Sequence, residues 1–467
     1  MKLLVKNAAI ATAASVFTGD VLAEDGKIVL IGESIVDRDA RVVDAAGRYL
    51  LPGGVDAHTH FDLDTGAMRV TDNFYTGTVA AACGGVTTVI DHMGFGPRGC
   101  RLTHQADVYR ELAADAVVDY GFHGVVQHVD DAVIGDMEEL VERGISSVKM
   151  YLTYGFKLED ADILPVLERA RELGVMTCVH CENDAIIAFL TRKLLAEGKV
   201  AAKFHPASRP AVSEVEAVDR MILLAAAAVD APLYIVHLST AGGLDLIRAA
   251  RAEGRTVFAE TCPQYLLLDE SRYRDDEEGL KYIMAPPLRT PVDNEAMWSG
   301  LCCGSIDVVA TDHCPFFFAT QKQAGRNDFS RAPGGAPGVE TRMSLLFSEG
   351  FMCGRLTLPE VVRVCCLNPA RLFGLEGVKG DIRPGCDADF VLFDPGAERV
   401  IAKAQLHENV DYTPYEGMRV RGAPVMTVSR GEVIVENGVF LGEPGRGRFL
   451  RRGTFGWKAK HGWKNRS

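Results

Sequence analysis

A TIM-like α/β fold, a (β/α)8 barrel carrying a small β-sandwich built from both chain ends, is what this sequence predicts, and three observations predict it. Between residues 53 and 375 short apolar runs alternate with stretches whose apolar residues recur at three and four, the signature of βα units on a parallel sheet. There are eight such runs, the number that closes a barrel. Histidines, a lysine and an aspartate stand at or near the ends of several runs, and only a fold that gathers strand ends could bring together residues spread from 58 to 312.

Taken in order, residues 1–52 read as the first part of the sandwich, because short alternating runs are broken there by glycine turns. The opening MKLLVKNAAIATAASVF has the basic residue and apolar stretches of a secretory signal. Lys6 and Asn7 interrupt the run, however, and the alternation continues into VLAEDGKIVLIGE, so a strand-turn-strand opening is expected. The barrel, 53–375, follows with the runs GVDAH (54–58), VTTVIDH (86–92), YGFHGVVQ (120–127), SSVKMYL (146–152), VMTCVHCE (175–182), APLYIVHLS (231–239), TVFAETCP (256–263) and IDVVATDH (306–313). Stretches such as ADILPVLERARELG and SEVEAVDRMILLAAAAV between them are outer helices. Alternation returns over 376–445, in GDIRPGCDADFVLFDP and RGEVIVENGVF, as the second part of the sandwich. The last stretch, 446–467, carries eight Lys or Arg and no acid, with Phe449, Phe455, Trp457 and Trp463 interleaved. Basic and aromatic residues together can bind single-stranded nucleic acid. In a chain of net charge −13 the arm reads instead as a contact with an acidic neighbouring subunit, and neither nucleic acid nor membrane is an expected partner.

With 467 residues, 47% hydrophobic and 24% charged, the chain has the composition of a globular protein with room for a large core. Its twelve cysteines lack regular spacing and read as reduced thiols, which places the protein in the cytoplasm. Cys178 and Cys181 flank His180 as C-x-x-C, but no second pair follows and the motif lies inside an apolar strand, so a redox or zinc role is not expected of them.

His58 and His60 are one residue apart at a strand end, so both imidazoles project to the same side and can share an ion. Alone, H-x-H is a modest signal. His180, His237 and Asp312 occupy equivalent positions on other units, and together these residues supply a metal-ligand set. Lys149 is the unexpected member, since an ammonium would repel the ions. Held neutral in a dry site, its amine can react with carbon dioxide to give a carbamate, N6-carboxylysine, whose two oxygens bridge two divalent cations. Outside this set Lys149 would read as a substrate-contacting or structural lysine. A water shared by two cations becomes hydroxide near neutral pH. Asp312 could take its proton as it attacks and hand it to the leaving nitrogen, as general base and then acid.

The segments GGVDAHTHFD, FYTGTVAAACGGVTTVIDHMGFGP, SVKMYLTY, VHCEN, YIVHLST, ETCPQYLLLD, APPLRT and VATDHC resemble the cyclic amidohydrolases, in particular the branch of dihydropyrimidinases and D-selective hydantoinases. The likeness runs over nearly the whole chain. It implies that His58, His60, Lys149 and Asp312 hold one zinc and Lys149, His180 and His237 the other, with manganese as the alternative metal. It also implies Tyr154 at the developing oxyanion, a homotetramer, and hydrolysis of a cyclic ureide or imide. Where the family carries S-P-P-L-R and P-N-G, this chain has Ala285-Pro286-Pro287-Leu288-Arg289 and Pro333-Gly334-Gly335. Those Ser and Asn positions bind the ring amide through main-chain groups, which Ala285 and Gly334 also possess. Met68, Val70 and Phe156 are candidates for the wall facing the ring substituent.

Several rivals differ by residue. Dihydroorotases carry an arginine two places after H-x-H, where Asp62 stands here. Allantoinases share the metal set but differ after His60 and His92. The branch also contains non-catalytic scaffold proteins, which have lost ligands; every ligand position is filled here. Gly94-Phe95-Gly96-Pro97-Arg98-Gly99 matches a dinucleotide-binding turn, but Pro97 removes a donor and no acid ends the next run.

Overall fold

The computed structural model describes residues 2–455. All eight apolar runs are strands of one parallel sheet in sequential order: β1 (Gly54–Thr59), β2 (Val86–His92), β3 (Asp119–Val125), β4 (Ser147–Tyr151), β5 (Met176–His180), β6 (Leu233–Ile235), β7 (Val257–Thr261) and β8 (Val308–Val309). The sheet nearly closes. Thr59 bridges to His313 in parallel, the His60 N–H donates to the His313 carbonyl at 2.9 Å, and the Thr311 N–H donates to Asp56 at 3.2 Å. Every residue of these strands is buried, as expected where one face lines the barrel and the other meets helices. The outer helices include Asp160–Leu173, ended by Gly174 at φ 68°, and Ala211–Ala227.

β6 and β8 are shorter than the apolar runs that contain them, for a reason visible in the backbone. His237 and Asp312, just beyond these strands, have φ of 40° and 53°, and Tyr154, beyond β4, has 76°. Non-glycine residues rarely adopt the left-handed region, and it turns the chain out of the ladder. The strands therefore stop before the residues that the mouth of the barrel uses.

Both chain ends join in a second, nine-stranded mixed sheet. Its junction pairs Tyr49–Pro52 antiparallel with Phe390–Val400, from Phe390 opposite Pro52 to Phe393 opposite Tyr49. Leu3, Val5, Ile10 and Val21 from one end share a core with Phe390, Leu392, Met426 and Val428 from the other. At the seam with the amino end of the barrel, buried Lys379 meets Asp119, Asp389 and Asp387 at 2.6, 2.8 and 2.9 Å.

The sequence places the basic arm on a neighbouring subunit. Its described part, 446–455, lies along this chain's own barrel. Tyr120 N–H donates to the Arg448 carbonyl and Leu450 N–H to that of Tyr120, while Arg452 is buried against Ser147 Oγ at 2.8 Å. Phe449 packs on Tyr120 and Phe122 with the Arg110 guanidinium over its ring. β3 pairs with β4 only at Gly124 and Val125, so Tyr120 is left with both its N–H and its carbonyl free to pair with this segment. Trp457 and Trp463 lie outside the described residues. Among the described residues no helix is long and apolar enough to cross a membrane.

Candidate metal centre

At the carboxyl ends of the strands the six predicted residues converge in two groups. In the first, His58 on β1 sets its Nδ1 2.6 Å from Glu260 Oε1 at the end of β7. Glu260 is itself oriented by the Tyr234 hydroxyl at 2.9 Å and the His237 N–H at 3.1 Å. The carboxylate accepts from Nδ1–H, so the lone pair of His58 lies on Nε2. That atom faces Asp312 Oδ1 at 3.1 Å, and the same oxygen lies 3.1 Å from His60 Nε2. Two acceptors so close repel unless a proton or cation lies between them. His58, His60 and Asp312 offer ligand atoms within 4.8 Å of one another.

The second group repeats the logic. Glu182 Oε2 lies 2.8 Å from His180 Nε2 and accepts from Arg209. Burial opposes the Glu182 charge, but Arg209 and His180 overcome it and bring its carboxyl down to about 2. As an anion it accepts from His180 Nε2–H, leaving the Nδ1 lone pair to face His237 Nε2 at 2.9 Å. Lys149 lies between the groups, 1% exposed, with its Nζ 3.5 Å from His58 Nε2.

Protonation favours ligation. Burial holds the His60 imidazole down at about 4 and that of His237 well below its ordinary value, so both are neutral. Burial likewise lowers the Lys149 amine, although the Asp312 carboxylate works the other way. Asp312 is disfavoured as an anion by burial, but His58 and His60 prevail and keep its carboxyl well below the carboxylate range. Burial and Lys149 oppose a charge on His58, but Glu260 and Asp312 prevail and raise its imidazole, so a cation there would displace a proton. Neutral imidazoles at His60 and His237, an ionised carboxylate and a lysine eased toward its free amine are forms that a divalent metal and a carbamate require. The donor set therefore fits two cations.

The remaining predicted residues border this centre. The half-buried Tyr154 sets its ring 5.4 Å from that of His180, beneath the Arg209 guanidinium. Gly334 lies beside Ala285, whose N is 3.9 Å from where a Gly334 side chain would begin. Met68 and Val70 pack with Leu63, Cys314 and Phe316, and the Phe156 ring meets Phe95 at 3.5 Å. Cys178 and Cys181 are buried thiols pushed up by burial.

Sequence reasoning missed Glu182, Glu260, Arg209 and Phe95. Glu260 had the same signal as His180, a polar residue closing a buried strand, and Glu182 lies two residues past one. A further trio, Cys83, Glu340 and His407, could also hold a cation, but both Glu340 oxygens are already engaged by His407.

The model of the amidohydrolase family matches residues 49–434. A D-phenylhydantoinase of Escherichia coli (strain K12 / DH10B) is 51% identical over 457 residues, covering 97% of this chain and 99% of its own. Among solved structures, dihydropyrimidinase from Brevibacillus agri NCHU1002 superposes with a TM-score of 0.96 at 42% identity, over 98% of this chain and 100% of that one. D-hydantoinase from Bacillus sp. AR9 gives 0.95 at 40%, over 97% and 99%. L-hydantoinase from Arthrobacter aurescens gives 0.88 at 31%, over 96% and 99%.

Proposed function

The chain belongs to the amidohydrolase family, and from that premise we propose that this enzyme opens the cyclic amide of 5-substituted hydantoins, preferring the D form, or of dihydropyrimidines, to give N-carbamoyl amino acids. Divalent metal use accompanies the family. We assign two ions, zinc or else manganese. His58, His60, Asp312 and Lys149 would hold one; Lys149, His180 and His237 would hold the other, with Lys149 carried as its carbamate. When bound, the ions supply an acidified water and Lewis-acid polarisation of the ring carbonyl.

The chain's own groups do the rest. Asp312 starts as an anion, because His58 and His60 hold its carboxyl down, so it can take the nucleophile's proton and return it to the leaving ring nitrogen. Burial pushes the Tyr154 phenol up, so it stays protonated and donates to the developing oxyanion. Glu260 and Glu182 fix the ligand histidines, and main-chain groups of Ala285 and Gly334 receive the ring amide. Met68, Val70, Phe95 and Phe156 face its substituent. We also propose a homotetramer in the cytoplasm; the twelve free thiols fit a reducing compartment.

The observation that supports this reading most is the convergence of His58, His60 and Asp312, whose ligand atoms lie within 4.8 Å of one another, with Lys149 Nζ 3.5 Å from His58 Nε2. Ring opening of hydantoin, D- and L-5-phenylhydantoin, dihydrouracil and allantoin by one metal-loaded sample tests the reading. Fastest turnover of D-5-phenylhydantoin is expected. Turnover dominated by allantoin, or none, contradicts it.

A further inference from the structure

Lys322 is 0% exposed and forms no ion pair among the described residues. Its ammonium instead donates to three main-chain carbonyls, those of Ile283, Pro333 and Gly335, at 2.7, 2.8 and 2.7 Å. An ammonium buried among neutral acceptors is an expensive way to fill a core, and burial alone draws its pKa down to about 7. The three carbonyls belong to the two segments that carry Ala285 and Gly334.

We propose that Lys322 positions these two segments so that their main-chain groups can receive the substrate's ring amide. The proposal rests on the function assigned above. Neither Ala285 nor Gly334 has a polar side chain, so anything they offer a ring comes from the backbone, and the backbone's orientation is the whole of their specificity. The carbonyls on either side of Gly334, those of Pro333 and Gly335, both accept from Lys322. The Gly335 N–H donates to the Ile283 carbonyl at 3.1 Å and joins the segments, while His205 Nε2 donates to the next carbonyl, of Met284, at 2.8 Å. Gly335 lies at φ 148°, so close to Cys314 that a side chain would stand 2.3 Å from its carbonyl oxygen. Cys314 is two residues from Asp312, and its N–H donates to the Ala336 carbonyl at 3.0 Å. Lys322 thus fixes the ring-binding backbone relative to the proton-transferring carboxylate.

A Lys322→Met enzyme should keep two ions per chain and a kcat within about threefold, while KM for a 5-substituted hydantoin rises about tenfold. Lys322→Gln, which retains two protons to donate, should give an intermediate KM. An unchanged KM, or a loss of kcat and metal at constant KM, overturns the proposal. Should neither variant fold, hydrogen exchange on the unaltered protein decides: a bound N-carbamoyl product should slow exchange over 283–288 and 334–339, and no slowing there overturns it. If the unaltered enzyme opens no cyclic ureide or imide, the assigned function fails and takes this role with it. Turnover by the unaltered enzyme with an unchanged KM in Lys322→Met removes Lys322 alone.

Discussion

Lys149 and Lys379 are both 1% exposed, yet the two ends of the barrel treat them in opposite ways. At the amino end three carboxylates surround Lys379 within 2.9 Å, and one of them, Asp119, is shared with Arg430. At the mouth, among the described residues, Lys149 has the lone pair of His58 at 3.5 Å and the face of Tyr151 at 5.3 Å. Burial opposes both charges; at the amino end carboxylates in direct contact meet the charge, whereas at the mouth Asp312 and Glu260 act on Lys149 with no ion pair among the described residues. A buried lysine closed by its own partners fastens two parts of a fold together. One left open is eased toward its free amine by burial, the form that reacts with carbon dioxide to become an anion.

Substitutions that exchange or erase this contrast should fall in a clear order of effect on turnover. Lys149→Ala should be most severe: both ions lost by elemental analysis, with activity down a thousandfold or more as an order of magnitude, partly restored by a short carboxylic acid. Full activity with both ions present would erase the contrast. Asp312→Asn should preserve the circular dichroism spectrum while turnover falls roughly 10²–10⁴-fold, and unchanged turnover would remove Asp312 from proton transfer. Glu260→Gln and Glu182→Gln should each weaken metal affinity about 10–100-fold in chelator titrations, because an amide that can also donate replaces the anionic, acceptor-only group facing each histidine and no longer enforces its tautomer or basicity. Lys379→Met should leave the ion content at two per chain and affect turnover least, yet lower unfolding free energy by about 3–5 kcal/mol in urea by stranding buried carboxylates. Loss of ions in that variant would mean the two ends are not independent.

The barrel was legible because buried parallel strands are written as unbroken apolar runs, and the convergence at its mouth because five of the side chains there are histidine or aspartate standing near run ends. Lys149 was legible as an anomaly. Glu260 had a strand-end signal, but nothing in the sequence marks that it faces His58, 202 residues away, and Glu182 lies just past the strand that carries its partner His180. Arg209 and Lys322 lie between recognisable elements, where no periodicity points at a partner. The early stop of β6 and β8 was hidden as well: positive φ at His237 and Asp312 is imposed by the surrounding fold. For the arm, the charge pattern carried no mark of the backbone groups and aromatic rings of this chain's own barrel that meet its described part.

The central claim is a pair of cations joined by a carbamate on Lys149. Its most direct test is a carbon-13 spectrum of the protein incubated with labelled bicarbonate and zinc, paired with zinc analysis of the same sample. One carbamate carbon and two zinc ions per chain are predicted, both signals absent from Lys149→Ala. A spectrum without that carbon, from a chain that binds no zinc, would contradict the account.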